Sequence, residues 1–212
     1  MTKVKVCGIT RKGDLEFAIN AGVDALGFVV GVPKSPRNLT NKVASELISL
    51  VPKEVQSTIV TTMKSDSELR EVCEELKASA IQLYGLKEYP GFLKSEYGLR
   101  VIGAVEAESV SALDSARAAS KVCDGILVDS SLPGIEGGTG ELHDWKLSSM
   151  IRANVSPLTF YLAGGLTPNN VSEAIRVVKP DYVDVSTGVE VSPGVKDPSK
   201  VSNFIDRAKG VI

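Results

Sequence analysis

The chain has 212 residues, of which 43% are hydrophobic and 24% charged, a composition that excludes disordered, collagenous and low-complexity proteins. Its 24 Lys and Arg against 26 Asp and Glu give a net charge of −2, which argues against a nucleic-acid or membrane-surface partner. The longest apolar run, residues 25–32, is far shorter than the roughly 18 residues that cross a bilayer.

The N-terminus and the cysteines predict a cytoplasmic protein. The first residues form an alternating strand pattern without the apolar segment of a signal peptide. Three cysteines without Cys-x-x-Cys spacing indicate neither a disulfide framework nor a zinc site. No metal is therefore expected.

Short runs rich in Val, Ile and Ala alternate with segments of helical spacing along the whole chain. Strands are predicted over residues 4–7, 25–30, 57–61, 80–83, 101–105, 125–128, 159–162 and 182–185. Helices are predicted over residues 14–21, 41–50, 66–77, 89–97, 109–119, 144–153, 168–178 and 198–209. Eight such units predict an α/β protein with the (β/α)8 TIM barrel fold, with residues 1–212 as a single catalytic domain. A doubly wound sheet needs fewer strands and a Gly-x-Gly-x-x-Gly turn after the first strand, and this chain lacks that turn.

Active sites of such barrels lie at the C-terminal ends of the strands, so the last inward-facing residue of each strand matters most. In strand one the two valines pack outward, so Lys5 and Cys7 point into the barrel. In strand six the same alternation points Leu127 and Asp129 inward. Cys7 and Asp129 are thus a candidate acid/base pair, although a buried structural cysteine and a satisfied polar network remain the alternatives.

Two later loops are predicted to bind a phosphate. Gly164 and Gly165 follow strand seven, and Ser186, Thr187 and Gly188 follow strand eight. Barrel enzymes commonly hold phosphate groups on backbone N–H groups at this place. Ordinary tight turns would also use glycine.

Three further residues lie in loops that could reach the mouth of the barrel. Gly138 lies in the glycine-rich loop after strand six and is a candidate substrate contact in a mobile lid, or part of a flexible connection. Arg37 follows strand two, and its guanidinium could bind a carboxylate through two hydrogen bonds, unless it is simply solvated. His143, the only histidine, is expected at the surface or as a helix cap.

Seven ordered motifs together resemble the phosphoribosylanthranilate isomerases. They are KVCGIT at 5–10, SPR at 35–37, IQLYG at 81–85, VDS at 128–130, GGTG at 137–140 with DW at 144–145, LAGGL at 162–166 and DVSTGVE at 184–190. The resemblance spans nearly the whole chain. It implies an Amadori rearrangement in tryptophan biosynthesis, from N-(5'-phosphoribosyl)anthranilate to 1-(o-carboxyphenylamino)-1-deoxyribulose 5-phosphate, with no cofactor.

Matched position by position, the resemblance implies that Cys7 is the general base, Asp129 the general acid and Arg37 the ligand of the anthranilate carboxylate. The chain departs from the family pattern at Tyr84, where histidine is frequent, and at His143, where an aromatic is frequent. Thr187 also replaces a frequent serine. These departures concern contacts at the edge of the substrate and leave the acid/base pair unchanged.

Other readings stay open at this point. Ribulose-phosphate epimerases and indole-glycerol-phosphate synthases share the barrel, but they would be expected to show His/Asp pairs with metal ligands, or Lys/Glu pairs, at the strand ends. A non-catalytic phosphate-ligand-binding barrel is the alternative from another class, and a second sugar-phosphate substrate, that of the related histidine-pathway isomerisation, is not excluded. The sequence leaves both monomer and homodimer open.

Overall fold

Eight parallel strands close into a barrel because the first strand pairs with both the second and the last. The computed structural model describes residues 1–63, 65–85, 89–107, 111–129 and 145–211. The barrel strands are β1 Lys3–Cys7, β2 Ala25–Val30, β3 Gln56–Thr61, β4 Ala80–Tyr84, β5 Arg100–Glu106, β6 Gly125–Asp129, β7 Thr159–Leu162 and β8 Tyr182–Val185. This closure confirms the predicted (β/α)8 barrel.

Helices connect successive strands on the outside of the barrel. They are α1 Lys12–Asn20, α2 Asn41–Ile48, α3 Asp66–Leu76, α4 Phe92–Ser95, α5 Ser111–Ala119, α6 Trp145–Val155, α7 Val171–Val178 and α8 Pro198–Lys209. None of the helices in the described ranges is long and apolar enough to span a membrane.

The strand alternation divides the core into two layers. Outward-facing residues such as Val4, Val6 and Val128 are fully buried against the helices. A smaller cluster fills the barrel interior, made up of Ala25, Ala80, Ile102, Ala104, Leu127, Tyr161, Ala163 and Tyr182. Because side chains alternate between the two faces of a strand, each strand serves both layers and brings its last inward residue to the barrel mouth.

Three predicted helix starts are wrong: α4 begins at Phe92 rather than at residue 89, and side-chain hydrogen bonds explain the other two. Helix α1 begins at Lys12, ahead of the predicted residue 14, so Asp14 lies in its first turn and accepts hydrogen bonds from Arg11. Helix α7 begins at Val171, after the predicted residue 168. The Asn170 side chain there accepts from Thr167 N–H at 2.8 Å and donates to the Gly165 carbonyl at 3.0 Å, which makes this stretch a turn.

Two small elements at the mouth were not predicted. A short strand, Asn38–Leu39, pairs with the end of β2 directly after Arg37. A hairpin of Glu190–Ser192 and Val195–Lys196 follows β8 and leads into α8. We call the latter the C-terminal hairpin. Both elements lie beside the end of β1, and they determine how Arg37 is held.

Candidate active site

Cys7 ends β1 at the barrel mouth, as the alternation predicted. The thiol is free and half-buried. Two residues earlier on the same face, the buried Lys5 donates a hydrogen bond of 2.9 Å to Asp184 Oδ2 on β8. Cys7 therefore lies above a buried ion pair inside the barrel.

The charges around Cys7 act on its thiol in opposite directions. Burial raises the pKa of Cys7 above its ordinary value, and the Asp184 carboxylate raises it further. The Lys5 and Lys196 ammonium groups favour the thiolate and offset part of this increase. Burial acts to lower the pKa of Lys5. The neighbouring Asp184 and Cys7 outweigh this effect and raise the pKa, so this lysine keeps its charge.

Asp129 ends β6 in a different setting. The Tyr84 hydroxyl, at the end of β4, donates a hydrogen bond of 3.3 Å to Asp129 Oδ2. Gln82 Nε2 donates to the same hydroxyl oxygen at 3.1 Å. Burial raises the pKa of Tyr84 well above its ordinary value, and the charges of Asp129 and Cys7 add to this effect. Tyr84 is therefore a neutral hydroxyl within electrostatic range of both predicted catalytic groups.

Arg37 lies at the mouth beside the end of β1 but is already engaged by the protein. Its Nε donates to Glu190 Oε1 at 2.8 Å, and its Nη2 donates to Glu190 Oε2. The Nη2 group also donates to Thr187 Oγ1 at 3.2 Å. The guanidinium is therefore part of an ion pair rather than a freely solvated charge, with 17% of the side chain exposed.

The loops after β7 and β8 lie in direct contact with each other. A Cβ placed on Gly188 would lie 1.9 Å from the carbonyl oxygen of Leu166, so only glycine fits there. Gly164 and Gly165 have φ of 85° and 61°, the left-handed region that favours glycine. Thr187–Val189 form a single helical turn, whose first N–H groups have no acceptor within the turn.

The structure thus brings most of the predicted residues to one end of the barrel. Cys7, Asp129 and Arg37 lie at strand ends or directly after them, and the two glycine-containing loops follow β7 and β8. Gly138 and His143 lie outside the described residues. Within the described ranges, no group of three or more His, Cys, Asp or Glu side chains converges in the manner of a metal site.

Three residues of this mouth were not assigned a role from the sequence. Tyr84 is the last inward residue of β4, so the alternation that selected Asp129 could have selected it as well. Glu190 and Lys196 belong to the C-terminal hairpin. The Pro193–Gly194 dipeptide between its strands is a turn signal that could have predicted the hairpin, but not its contact with Arg37.

Comparison with known sequences identifies one family. The family model of N-(5'-phosphoribosyl)anthranilate (PRA) isomerase matches residues 4–207. A curated N-(5'-phosphoribosyl)anthranilate isomerase from Natronomonas pharaonis is 40% identical over 214 residues, which cover 99% of both chains. This chain belongs to the phosphoribosylanthranilate isomerase family.

Solved structures of phosphoribosylanthranilate isomerases agree with this membership. The Thermotoga maritima isomerase superposes with a TM-score of 0.87 at 35% identity, covering 99% of this chain and all of that one. Another family structure superposes with a TM-score of 0.82 at 33% identity and the same coverage. That structure was solved in complex with reduced 1-(o-carboxyphenylamino)-1-deoxyribulose 5-phosphate. The resemblance found in the sequence motifs is thereby confirmed at the level of family and fold.

Proposed function

We propose that this chain isomerises N-(5'-phosphoribosyl)anthranilate to 1-(o-carboxyphenylamino)-1-deoxyribulose 5-phosphate, with Cys7 as general base and Asp129 as general acid. Family membership supports the reaction. The observation that supports the assignment of residues is the placement of the two groups at the ends of β1 and β6, around one barrel mouth. As a step of tryptophan biosynthesis, the reaction fits a cytoplasmic enzyme with three free thiols.

The reaction requires two proton transfers. Asp129 donates a proton to the ring oxygen of the aminofuranose, which opens the ring. Cys7, as thiolate, then removes the proton from C2 to form the enolamine, which tautomerises to the ketone product. The ammonium of Lys5 below Cys7 favours the thiolate that this second step needs.

The two anionic ends of the substrate have two candidate subsites, which adjoin where Arg37 donates a hydrogen bond to Thr187 Oγ1. The phosphate is assigned to the backbone N–H groups of Gly164, Gly165, Thr187 and Gly188, together with Ser186, where the two loops meet. The anthranilate carboxylate is assigned to Arg37, beside the end of β1. A substrate held at both ends would place its ribose between the acid and the base.

A coupled assay with freshly prepared N-(5'-phosphoribosyl)anthranilate tests the reaction directly. We expect turnover by the unmodified chain and its near loss in the Cys7→Ala/Asp129→Asn double variant, with thermal unfolding confirming that the variant is folded. Inorganic phosphate should compete with the substrate. Absence of turnover by the folded, unmodified chain would refute the proposed activity and favour a phosphate-ligand-binding barrel.

A further inference from the structure

The Arg37 guanidinium is held in place by the C-terminal hairpin. Glu190 accepts hydrogen bonds from Arg37 through both carboxylate oxygens, one from Nε and one from Nη2. Such a two-point contact fixes the plane of a guanidinium as well as its position. The two residues are 153 positions apart in the chain, so only the closed barrel brings them together.

Glu190 is itself fixed by the hairpin on which it lies. Its Oε1 accepts a hydrogen bond of 2.7 Å from Lys196 Nζ and another of 3.3 Å from Gly194 N–H. Lys196 Nζ also lies 3.3 Å from the carbonyl oxygen of Ser186, at the start of the predicted phosphate loop. Burial acts to raise the pKa of Glu190. The hydrogen bonds from Arg37 and Lys196 outweigh this effect, so the pKa of Glu190 is lowered and its carboxylate stays ionised.

The other face of Arg37 packs against Gly8, the residue after Cys7. A Cβ on Gly8 would lie 2.4 Å from Arg37 Cδ, and Gly8 has φ of 75°. The aliphatic part of Arg37 therefore lies directly on the backbone at the end of β1. Glu190 on one side and Gly8 on the other leave the arginine little freedom to move.

The hydrogen bonds made by Arg37 leave one part of it available for a ligand. Glu190 and Thr187 engage Nε and Nη2, whereas Nη1 has no hydrogen-bond partner among the described residues. Burial lowers the pKa of Lys196, although Glu190 favours its charged form. While Lys196 is protonated, Arg37 and Lys196 around the single carboxylate of Glu190 give the group one net positive charge. An anion can therefore bind at Nη1 without displacing Glu190.

A purely structural role explains this arrangement less well. Buried ion pairs are costly to desolvate, and well-packed apolar residues stabilise a fold at least as well. Glu190 and Lys196 are nevertheless both buried, at 7% and 3% exposure, directly behind a mouth residue. The charge is concentrated where a ligand carboxylate is expected.

We infer that Glu190 and Lys196 are positioning residues, which hold Arg37 over Gly8 so that its Nη1 group is presented to the anthranilate carboxylate of the substrate. This inference rests on the proposed function of Arg37. It adds to that function a fixed orientation, imposed by a part of the chain that does not itself contact the carboxylate.

The test is a double-mutant cycle between Glu190→Gln and Arg37→Ala. The glutamine keeps the shape of Glu190 but presents an N–H group to one of its donors. We expect KM to rise about 10-fold in Glu190→Gln with kcat changed less than about 3-fold, since the lost interaction is remote from the reacting atoms. In the Arg37→Ala background the same change should alter KM less than about 2-fold.

Inhibition by two product analogues separates positioning from general damage. Reduced 1-(o-carboxyphenylamino)-1-deoxyribulose 5-phosphate should bind about 10-fold more weakly to Glu190→Gln, and its counterpart without the ring carboxyl should bind as it does to the unmodified chain. Lys196→Met, of similar length, should show the same selectivity and serves if Glu190→Gln fails to fold. Equal loss of both inhibitors, or equal effects of Glu190→Gln with and without Arg37, would overturn the inference.

A matched control is available on the outer surface. Glu96→Gln makes the same chemical change in another two-point Arg–Glu pair, with Arg70, and should leave KM and both inhibition constants unchanged.

If Arg37→Ala alone does not change KM, the proposed carboxylate subsite fails, and the positioning role fails with it. If Arg37→Ala raises KM but Glu190→Gln does not, only the positioning role fails.

Discussion

Cys7 and Asp129 occupy equivalent places at the ends of β1 and β6, but their surroundings differ in kind. On what we call the β1 side of the mouth, charged groups are paired in a network, formed by Lys5, Arg37, Asp184, Glu190 and Lys196 around Cys7. On the β6 side, Asp129 accepts from the neutral hydroxyl of Tyr84, which in turn accepts from the amide of Gln82. Among the described residues, the same topological position is thus surrounded by paired charges at Cys7 and by neutral hydrogen-bonding side chains at Asp129.

This difference matches the two tasks proposed for Cys7 and Asp129. A thiol becomes a base only by gaining negative charge, which nearby cations favour. A carboxylic acid must hold and release a proton, and a neutral hydroxyl beside it adds no further charge to this exchange. Five predictions would break or sharpen the comparison, from the largest expected effect to the smallest.

Removing either reacting group should have the largest effect. Cys7→Ala and Asp129→Asn should each lower kcat by at least about 10²-fold, because general acid–base groups contribute roughly 10²–10⁴-fold. Thermal unfolding of each variant shows whether the fold is kept. Near-normal kcat in either folded variant would remove that residue from the mechanism.

Arg37 tests the β1 side away from the reacting atoms. Arg37→Ala should lower kcat/KM by about 10- to 150-fold, since a charge-assisted hydrogen bond contributes roughly 1.5–3 kcal/mol. Arg37→Lys should not restore it, because an ammonium cannot reproduce the planar contact with Glu190. Steady-state kinetics of both variants measure this. Unchanged kinetics in Arg37→Ala would leave the residue with a structural role only.

The loops after β7 and β8 join the two sides of the mouth and are tested through Gly188. Gly188→Ala brings a Cβ within 1.9 Å of the Leu166 carbonyl oxygen, so one loop must move. We expect KM to rise about 10-fold and the free energy of unfolding to fall by about 1–3 kcal/mol. Gly98→Ala, between α4 and β5, is the matched control: no atom lies near its added Cβ, so only the strain of its φ of 63° should cost about 1 kcal/mol. Equal KM values for both variants would contradict the assigned phosphate subsite.

Replacing either member of the buried ion pair below Cys7 should shift the pH dependence of kcat/KM, in opposite directions for the two residues. Since burial raises the pKa of Cys7, kcat/KM should increase with pH beyond the ordinary thiol pKa of about 8.5. Lys5→Met removes a cation and should shift this increase to higher pH, whereas Asp184→Asn removes an anion and should shift it to lower pH. Site-resolved alkylation of Cys7 as a function of pH measures the thiol directly. Shifts in the same direction would refute the electrostatic account.

Tyr84→Phe should have the smallest effect. It removes one hydrogen bond to Asp129 and leaves Gln82 Nε2 without its acceptor, so unfolding should become easier by about 1 kcal/mol. We expect kcat to fall less than about 10-fold. The thiol pKa of Cys7 should not change, because the tyrosine that is removed carries no charge near neutral pH. A loss in kcat as large as that of Asp129→Asn would make Tyr84 part of the proton transfer itself.

The sequence predicts the parts of this site that local periodicity determines. Side chains alternate along a strand with a fixed period of two, so the inward placement of Cys7 and Asp129 follows once β1 and β6 are located. Helix starts are less well determined by local pattern. Asp14 resembles a helix cap in sequence, but it lies in the first turn of α1 and accepts a hydrogen bond from the N–H of the distant Lys196.

The contacts that position the charged groups could not be predicted from local pattern. The sequence indicates Arg37 as a candidate ligand of a substrate carboxylate, whereas Glu190 resembles an ordinary polar residue next to a turn. Their pairing depends on the register of a closed barrel and on a hairpin outside it, neither of which leaves a periodic trace in the sequence. The family motifs include both residues without indicating that they touch.

The closure of the barrel has a consequence for the order in which the two sides of the mouth are made. Tyr84 and Asp129 are 45 residues apart, whereas Lys5 and Asp184 are 179 apart. During synthesis the β6 side can form once the middle strands have emerged, but Asp184, Glu190 and Lys196 reach the β1 side only when β8 and the C-terminal hairpin are complete. Bringing distant segments together is the entropically costly, slow part of folding. The Cys7 thiol therefore acquires the full set of charges around it in the same event that closes the barrel, and a chain that lacks β8 and the C-terminal hairpin lacks three of them.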